Sequence, residues 1–224
     1  MRQLVLELAS APAPTLDNFV AGDNAEVVAA LRALAGGAQP ERFIYLWGGS
    51  GSGRSHLLQA TARALRERGC TVRLFDGRAA ETGSDDACIA DDVQQLDAAA
   101  QVALFNICNT LREGCGVLLA AGDRPPARLP LRPDLLTRLA WGLVYEVRAL
   151  SEDDRRAALH DYAAARGFAL PPEVADYLLA RAPRDLSSLR ALVDTLDRLS
   201  LQQKRAITVP LARELLQSLQ PARP

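Results

Sequence analysis

A glycine-rich segment between two patterned runs constrains the fold of this chain more than any other feature. Residues 48–55 read Gly-Gly-Ser-Gly-Ser-Gly-Arg-Ser. The apolar run before them, residues 43–47, has the length and composition of a strand, and residues 56–68 carry apolar side chains at helical spacing. A strand, a glycine-rich loop and a helix in that order indicate a phosphate-binding loop.

Each residue of this loop has an expected role. Glycines let backbone N–H groups converge on phosphate oxygens, and the helix that follows adds its positive N-terminal end. Ser55 occupies the position of the Mg2+ ligand, and Arg54 stands where a lysine normally reaches the outer phosphates. We therefore expect nucleotide contacts from the loop and the adjoining histidine, namely Gly48, Gly51, Ser52, Gly53, Arg54, Ser55 and His56.

A flexible linker is the alternative explanation of this segment, because Gly/Ser runs are common in linkers. A linker does not require flanks that are patterned as packed secondary structure, and both flanks of residues 48–55 have that pattern. The sequence therefore favours the phosphate-binding loop.

Composition excludes several classes of protein. The 224 residues carry a net charge of −1, which gives no support to a broad nucleic-acid-binding face. The four cysteines include no C-x-x-C pair and the two histidines are far apart, so we expect free, buried or half-buried thiols and no metal cluster. Without a leader or an apolar run long enough to span a bilayer, we expect a cytoplasmic protein.

The first eight residues alternate apolar and polar side chains and precede a Pro/Ala-rich stretch. Alternation is typical of an N-terminal edge strand. An extended peptide on a tether can equally dock into another protein by filling hydrophobic pockets. The residues alone leave both interpretations open for Gln3, Leu4, Leu6 and Leu8.

Two predicted strands end in acidic residues. A short run of small and apolar side chains, residues 87–90, leads into Asp91 and Asp92. Downstream of a phosphate loop, Asp91 would hold Mg2+ through its water shell, and Asp92 would orient or deprotonate an attacking water. Asp123 follows the strand at 116–121 and is a candidate contact to the γ-phosphate. A turn or cap role before Pro125-Pro126 is an equal alternative for Asp123, as a strand-end turn is for the aspartate pair.

Arg138 lies on a short predicted helix, residues 133–139, before a fifth strand at 141–147. An arginine in that place can be offered to the phosphates of a neighbouring subunit, whereas a lone arginine more often forms a surface salt bridge.

The connection at 76–86 leaves little room for a crossover helix, so we expect it to be short or irregular.

From Ser151 onward the pattern becomes wholly helical, with acidic helix-start chemistry at 151–154. We predict an α/β phosphate-loop domain with a parallel sheet, followed by a small all-helical domain. The predicted divisions are a peptide and tether at 1–14, the α/β domain at 15–149 and the helical domain at 150–224.

Several motifs in order resemble those of the AAA+ superfamily, and within it of the DnaA-related proteins and the Hda family. The motifs are Gln3-Leu4-Val5-Leu6-Glu7-Leu8, Leu16-Asp17-Asn18-Phe19-Val20, Gly53-Arg54-Ser55-His56-Leu57-Leu58, Asp91-Asp92-Val93-Gln94, Gly122-Asp123-Arg124-Pro125-Pro126 and Arg138-Leu139-Ala140-Trp141-Gly142. The short connection at 76–86 and the second acid, Asp92, depart from the family pattern. The resemblance covers nearly the whole chain.

The resemblance implies a negative regulator of replication initiation that binds ADP or ATP with Mg2+. Its partners would be the sliding clamp (the β subunit) of DNA polymerase III, bound through Gln3, Leu4, Leu6 and Leu8, and DnaA. Arg138 matches the arginine finger that promotes hydrolysis of DnaA-bound ATP. Phe19 and Val20 match the segment beside the adenine, Arg184 matches the second sensor, and the all-helical domain matches the lid.

Two rival hypotheses remain at this stage. One is an autonomous AAA+ ATPase of the helicase-loader or DnaA type, and the other is a nucleotide-free adaptor. The sequence ends after the helical domain, without the DNA-binding domain of DnaA, so we expect no direct sequence-specific DNA binding. Whether the chain forms a homo-oligomer is not determined by the sequence. Arginine at position 54 keeps the charge of lysine but not its point-charge geometry, which favours a site kept for binding.

Overall fold

A computed structural model describes residues 13–78, 85–183 and 185–219. The chain divides into two compact units, residues 13–149 and a second unit that contains residues 150–224. Gln3, Leu4, Leu6, Leu8 and Arg184, five of the predicted site residues, lie outside the described residues.

The first unit is built on a five-stranded parallel sheet. In chain order the strands are β1 (Phe43–Trp47), β2 (Val72–Leu74), β3 (Ala87–Ala90), β4 (Val117–Gly122) and β5 (Leu143–Glu146). Their order across the sheet is β2-β3-β4-β1-β5, and every neighbouring pair is parallel. Because the carboxyl ends of parallel strands meet at one edge, the loops that follow β1, β3 and β4 are brought together there.

Four helices cover the two faces of this sheet: α1 (Ala25–Gly36), α2 (Arg54–Glu67), α3 (Ala98–Glu113) and α4 (Pro133–Leu139). Side chains of β1 alternate between the two faces, as the pleat requires. Ile44 and Leu46 are buried with residues of α1 and α2, whereas Phe43 and Tyr45 are buried with residues of α3 and α4. The central strands are therefore apolar on both faces, which explains their unbroken hydrophobic runs.

The helix after the phosphate loop begins two residues earlier than the sequence predicted. Periodicity suggested His56 as the first residue, but α2 begins at Arg54, with Gly53 as its N-cap at φ +99°. Glycine offers no capping side chain, so the usual sequence signal for a helix start is missing. Arg54 and Ser55 consequently belong to the first helical turn.

The described part of the second unit, residues 150–183 and 185–219, contains four helices, α5 (Glu152–Ala165), α6 (Pro172–Arg181), α7 (Leu186–Gln203) and α8 (Val209–Leu219). The Ser151 hydroxyl caps α5 by accepting a hydrogen bond from the Asp154 backbone N–H at 3.0 Å. Apolar side chains at three- and four-residue spacing form its core, including Leu159, Val174, Leu178, Leu189, Val193, Leu196 and Leu211. The predicted order of a parallel-sheet α/β domain followed by an all-helical domain is confirmed.

The connection at 76–86 is described only at its ends. Residues 76–78 form a turn after β2, and residues 85–86 lead directly into β3; neither described part contains a helix. The Asp86 carboxylate accepts hydrogen bonds from the Thr71 backbone N–H and hydroxyl at 2.8 and 2.7 Å. These bonds hold the pKa of Asp86 below its usual range and fix the chain where it re-enters the sheet.

Gly142, which begins the approach to β5, tests how tightly this sheet is packed. A Cβ added there would overlap the backbone carbonyl of Phe43, an atom that cannot move aside without shifting β1. We expect Gly142→Ala to destabilise the protein by about 2 kcal/mol, measured as the midpoint of thermal or urea unfolding.

Gly36→Ala is the matched control for that substitution. Gly36 is the last residue of α1, and a Cβ there would meet nothing within 4 Å. We expect Gly36→Ala to leave the unfolding midpoint unchanged or raised, since alanine restricts the unfolded chain. Equal midpoints for the two variants would contradict the packing described at Gly142.

Candidate nucleotide-binding site

The loop between β1 and α2 can be formed only with glycine at specific positions. Gly51 and Gly53 have φ values of +78° and +99°, a region that side-chain-bearing residues rarely adopt. A Cβ at Gly48 would overlap the Val147 backbone oxygen, and one at Gly53 would lie 2.7 Å from Cε2 of Phe19. Two of the predicted phosphate-loop glycines therefore also allow neighbouring segments to approach the loop closely.

Two buried polar atoms in this loop lack partners among the described residues. The Ser52 hydroxyl and Nη1 of Arg54 are both buried without a hydrogen bond to any of those residues. Buried polar groups in proteins are nearly always hydrogen-bonded, so these two atoms are suited to hydrogen bonds with a bound anion. The first turn of α2 adds backbone N–H groups that no capping side chain satisfies. Unpaired donors at a helix N-terminus fit the phosphates of a nucleotide.

Arg54 connects the phosphate loop to the end of β3. Its Nη2 lies 3.5 Å from Oδ1 of Asp92, and its side chain is only 11% exposed. The same Asp92 oxygen accepts a hydrogen bond from Nε2 of Gln94 at 3.0 Å. The predicted neighbourhood of Arg54 and Asp92 is therefore present, but the carboxylate oxygen that faces the loop already accepts from Gln94 and pairs with Arg54.

The other two predicted carboxylates lie at the same sheet edge. Asp91 is exposed, and its Oδ1 accepts a hydrogen bond from the Asp92 backbone N–H at 2.9 Å. Asp123 forms a two-point pair with Arg124, whose Nε and Nη2 lie 3.0 and 2.6 Å from the carboxylate. Hydrogen bonds from Arg124 hold the pKa of Asp123 below its usual range, so this carboxylate is ionised at neutral pH.

Gln94 joins the ends of β3 and β4. Its amide group donates to Asp92 at one end, while Oε1 accepts from the Asp123 backbone N–H at 3.2 Å. Reasoning from the sequence did not assign a role to Gln94, although it belongs to one of the motifs that carry the family resemblance. Its position two residues after an Asp-Asp pair was the available signal.

Phe19 and His56 form the other wall of the loop. Their ring centroids are 5.4 Å apart at an angle of 51°, and His56 Nε2 lies 3.0 Å from the Thr15 carbonyl oxygen. Phe19 packs directly over Gly53, and Val20 follows it as a half-buried residue. The structure thus brings the predicted Phe19 segment against the phosphate loop, where an aromatic ring can contact a nucleotide base.

Arg138 lies in a separate cluster of neutral side chains. Its Nε donates to Oδ1 of Asn109 at 2.9 Å, and its guanidinium carbon lies 4.2 Å from the ring centroid of Trp141 and 4.9 Å from that of Phe105. Among the residues that the structure describes, no carboxylate lies within 4.0 Å of the Arg138 guanidinium. We call Phe105, Asn109, Arg138 and Trp141 the Arg138 cluster. It replaces the surface salt bridge that sequence reasoning kept as the alternative.

The cysteines take no part in these sites. Burial raises the pKa values of Cys88 and Cys108 to about 12, which keeps both thiols protonated. Cys115 is exposed, so the expectation that every thiol is at least half-buried was wrong; its φ of +61° places it in a turn before β4.

Within the described ranges, no group of three or more potential ligand side chains could hold a metal ion. No helix in those ranges is long and apolar enough to span a membrane.

Comparisons with known proteins agree with this architecture. Residues 152–216 match the family model described as "Hda, lid domain". Among solved structures, the chain is similar to domain III of the replication initiation protein DnaA from Thermotoga maritima, with a TM-score of 0.74, 23% identity and coverage of 94% of this chain and 98% of that one.

Two further solved structures extend the comparison. AMPPCP-bound DnaA from Aquifex aeolicus is similar with a TM-score of 0.67, 26% identity and coverage of 86% of this chain and 66% of that one. The RuvB Holliday junction branch migration motor from Thermotoga maritima is similar with a TM-score of 0.65, 15% identity and coverage of 92% and 72%. Most of this chain is therefore spanned by a fold that these proteins share.

The chain has the AAA+ fold, with the arrangement of elements seen in domain III of DnaA. Its helical domain matches the Hda lid domain over residues 152–216, so the resemblance to Hda predicted from the sequence is confirmed. The solved structure of DnaA from Aquifex aeolicus is described as bound to AMPPCP, an adenine nucleotide analogue.

The buried unpaired Nη1 of Arg54 gives a direct test of nucleotide binding. We expect saturating ADP with Mg2+ to raise the melting temperature of the wild-type chain, since a ligand at 100 times its Kd stabilises a protein by about 2.7 kcal/mol. Arg54→Gln should lose most of this shift because the loop then lacks its cation.

Arg63→Gln provides the matched control. Arg63 lies on the same helix but pairs with Glu67 on an exposed surface, at 2.7 Å. This variant should keep the full ADP-dependent shift, measured by differential scanning fluorimetry. A wild-type chain that ADP does not stabilise would support the nucleotide-free adaptor instead.

Proposed function

We propose that this chain is a cytoplasmic negative regulator of replication initiation that acts on DnaA. It binds an adenine nucleotide, docks on the sliding clamp of DNA polymerase III and stimulates hydrolysis of DnaA-bound ATP. The observation that carries the proposal is the Arg138 cluster, in which a guanidinium is held by neutral groups and keeps its charge available. A free guanidinium on a rigid support is the chemistry required of an arginine finger.

Positioning is the first requirement for such a finger. The Asn109 amide fixes one edge of the Arg138 guanidinium, and two aromatic rings restrict its plane. A side chain restrained in this way loses little further conformational freedom when it meets the triphosphate of a partner. Its positive charge would then stabilise the negative charge that develops as the γ-phosphate is transferred.

The nucleotide site of the chain itself would serve to bind rather than to hydrolyse. Arg54 presents a broad planar cation in place of a lysine point charge, and it is already paired with Asp92. Ser55 and Asp91 would hold the Mg2+ that accompanies the nucleotide, and Arg184 would reach the nucleotide from the lid. Bound Mg2+ supplies charge neutralisation at the phosphates. We propose ADP as the resident nucleotide.

The proposed partners follow from the resemblance of two segments. Gln3, Leu4, Leu6 and Leu8 have the pattern of the clamp-binding peptide of the Hda family. DnaA is the second partner, to which Arg138 would be supplied. The net charge of −1 supports no direct, sequence-specific contact with DNA.

An autonomous ATPase is the second candidate function, and the position of Asp92 favours it. Its carboxylate lies at the strand end next to the phosphate loop, where a water-activating acid would be needed. Measuring ATP turnover by the purified chain distinguishes the two functions. Brisk hydrolysis without DnaA and clamp would exclude a role limited to regulation.

Arg138→Ala is expected to abolish stimulation of ATP hydrolysis by DnaA. Arginine fingers contribute roughly 10³ to 10⁵ in turnover, so the loss should reach the background rate of DnaA alone. The measurement is release of phosphate from ATP-loaded DnaA in the presence of DNA-loaded clamp. Binding of the variant to clamp and to ADP should be unchanged.

Arg132→Ala is the control for that experiment. Arg132 precedes the same helix and pairs with Asp134 at 2.8 Å, so its removal changes net charge equally without touching the Arg138 cluster. It should retain full stimulation. If both variants stimulate as well as wild type, Arg138 is not a finger.

Gln3→Ala together with Leu4→Ala tests the clamp-binding segment. We expect this double variant to lose capture by immobilised clamp, because the docking peptide then lacks its amide and one of its apolar anchors. The melting temperature should stay within a degree or so of wild type, since a tethered peptide adds little to the core. Capture at wild-type strength would refute the assignment.

A further inference from the structure

A second arginine packs on the ring of Trp141 in the Arg138 cluster. The guanidinium carbon of Arg112 lies 4.2 Å from the Trp141 ring centroid, the same distance as that of Arg138. The two guanidinium carbons are therefore no farther apart than twice this distance. Phe43 packs against the tryptophan ring, with centroids 5.8 Å apart at 66°. Trp141 is thus a fixed ring on which two arginines from different helices meet.

Neither arginine has an acidic partner within the described ranges. By contrast, many arginines of the same unit form ion pairs, namely Arg32, Arg54, Arg63, Arg73, Arg78, Arg124, Arg132 and Arg148. Two like charges on one ring, within twice 4.2 Å of each other, repel unless an anion lies between or beside them. Cation–π contact with Trp141 compensates part of this repulsion but neutralises neither charge. The arrangement is therefore suited to receive an anion.

The two arginines differ in exposure and restraint. Arg112 lies in the last turn of α3 and is exposed. Within the described ranges its guanidinium contacts the Trp141 ring, and its side chain forms no hydrogen bond. Arg138 is half-buried and fixed by Asn109. A charge at the exposed edge of a binding surface chiefly affects association. A restrained charge that meets the reacting phosphate instead affects the rate of the chemical step. Arg112 and Arg138 should accordingly contribute to different stages.

We propose that Arg112 is a second phosphate-binding residue beside the finger and that Trp141 is the positioning residue for both arginines. The ligand is the triphosphate of a nucleotide held by the partner, which two planar guanidinium groups can contact at neighbouring oxygens. The proposal rests on the function proposed above, because it assumes that Arg138 is offered to a partner's nucleotide. It assigns Arg112 to docking and Trp141 to the geometry of the finger.

Stimulation of ATP hydrolysis by DnaA, measured against the concentration of this chain, separates these roles. Arg112→Gln should raise the half-saturating concentration about tenfold, as expected for one lost charge-assisted hydrogen bond, and change the maximal rate less than about twofold. Trp141→Leu should instead lower the maximal rate, because Arg138 loses the ring that orients it. Trp141→Phe keeps an aromatic face and should recover most of that rate.

Arg128→Gln is the matched control for charge. Arg128 is exposed on the same unit but makes no contact with Trp141. Its removal should leave the half-saturating concentration unchanged. If Arg112→Gln behaves like Arg128→Gln while wild type stimulates DnaA, the proposal for Arg112 is overturned and the proposed function stands. If Trp141→Phe is as impaired as Trp141→Leu, an aromatic positioning role for Trp141 is overturned.

A second measurement tests the anion site without DnaA. The chain has two tryptophans, so in a Trp47→Phe background with wild-type melting temperature the emission comes from Trp141 alone. With ADP saturating the phosphate loop, titration with inorganic tripolyphosphate should change this emission saturably, and Arg112→Gln should weaken the apparent affinity about tenfold. No change, or one that Arg112→Gln leaves unaltered, overturns the proposal even where wild type fails to stimulate DnaA.

Discussion

Parallel pairing of β1 with both β4 and β5 is the constraint on which the first unit depends. Trp47, the last residue of β1, is in register with Gly122 of β4 and with Glu146 of β5. The carboxyl ends of the three strands therefore lie at the same level, and the phosphate loop after β1 lies beside Asp123 after β4. One strand farther along, β3 ends close by and delivers Asp92 to Arg54. The contact between Arg54 and Asp92, which joins the ends of β1 and β3, depends on this register.

Within that frame, the loop residue Arg54 decides the character of the nucleotide site. Its guanidinium has one nitrogen paired with Asp92 and another buried without a partner among the described residues. The arginine is thus shared between the end of β3 and the space where a phosphate would lie. A lysine would present these two directions with one compact ammonium, whereas the planar guanidinium of arginine presents separate nitrogens to each.

Much of the fold could be predicted from local patterns. The unbroken apolar run of β1 indicates a buried strand, and the helical spacing of apolar residues in α3 indicates a helix. The start of α2 at Arg54 could not be predicted, because the N-cap Gly53 lacks the capping side chain that normally marks a helix start in the sequence. The positions of Asp92 and Asp123 after strands β3 and β4 could be predicted, because short apolar runs that end in acidic residues mark the ends of strands. Asn109, 29 positions from Arg138, was not found, because nothing local in α3 indicates a partner on α4. Contacts between segments that are distant in the sequence can be identified only from the tertiary structure.

The groups that contact Arg138 directly are all neutral, which has a consequence for its response to pH. Its contacts are an amide, two aromatic rings and, at 3.4 Å, the hydroxyl of Thr137. None of these groups gains or loses a proton near neutral pH. Mild acidification would therefore leave the Arg138 guanidinium in the same contacts, whereas an ion pair with a histidine would form or break as the imidazole titrates.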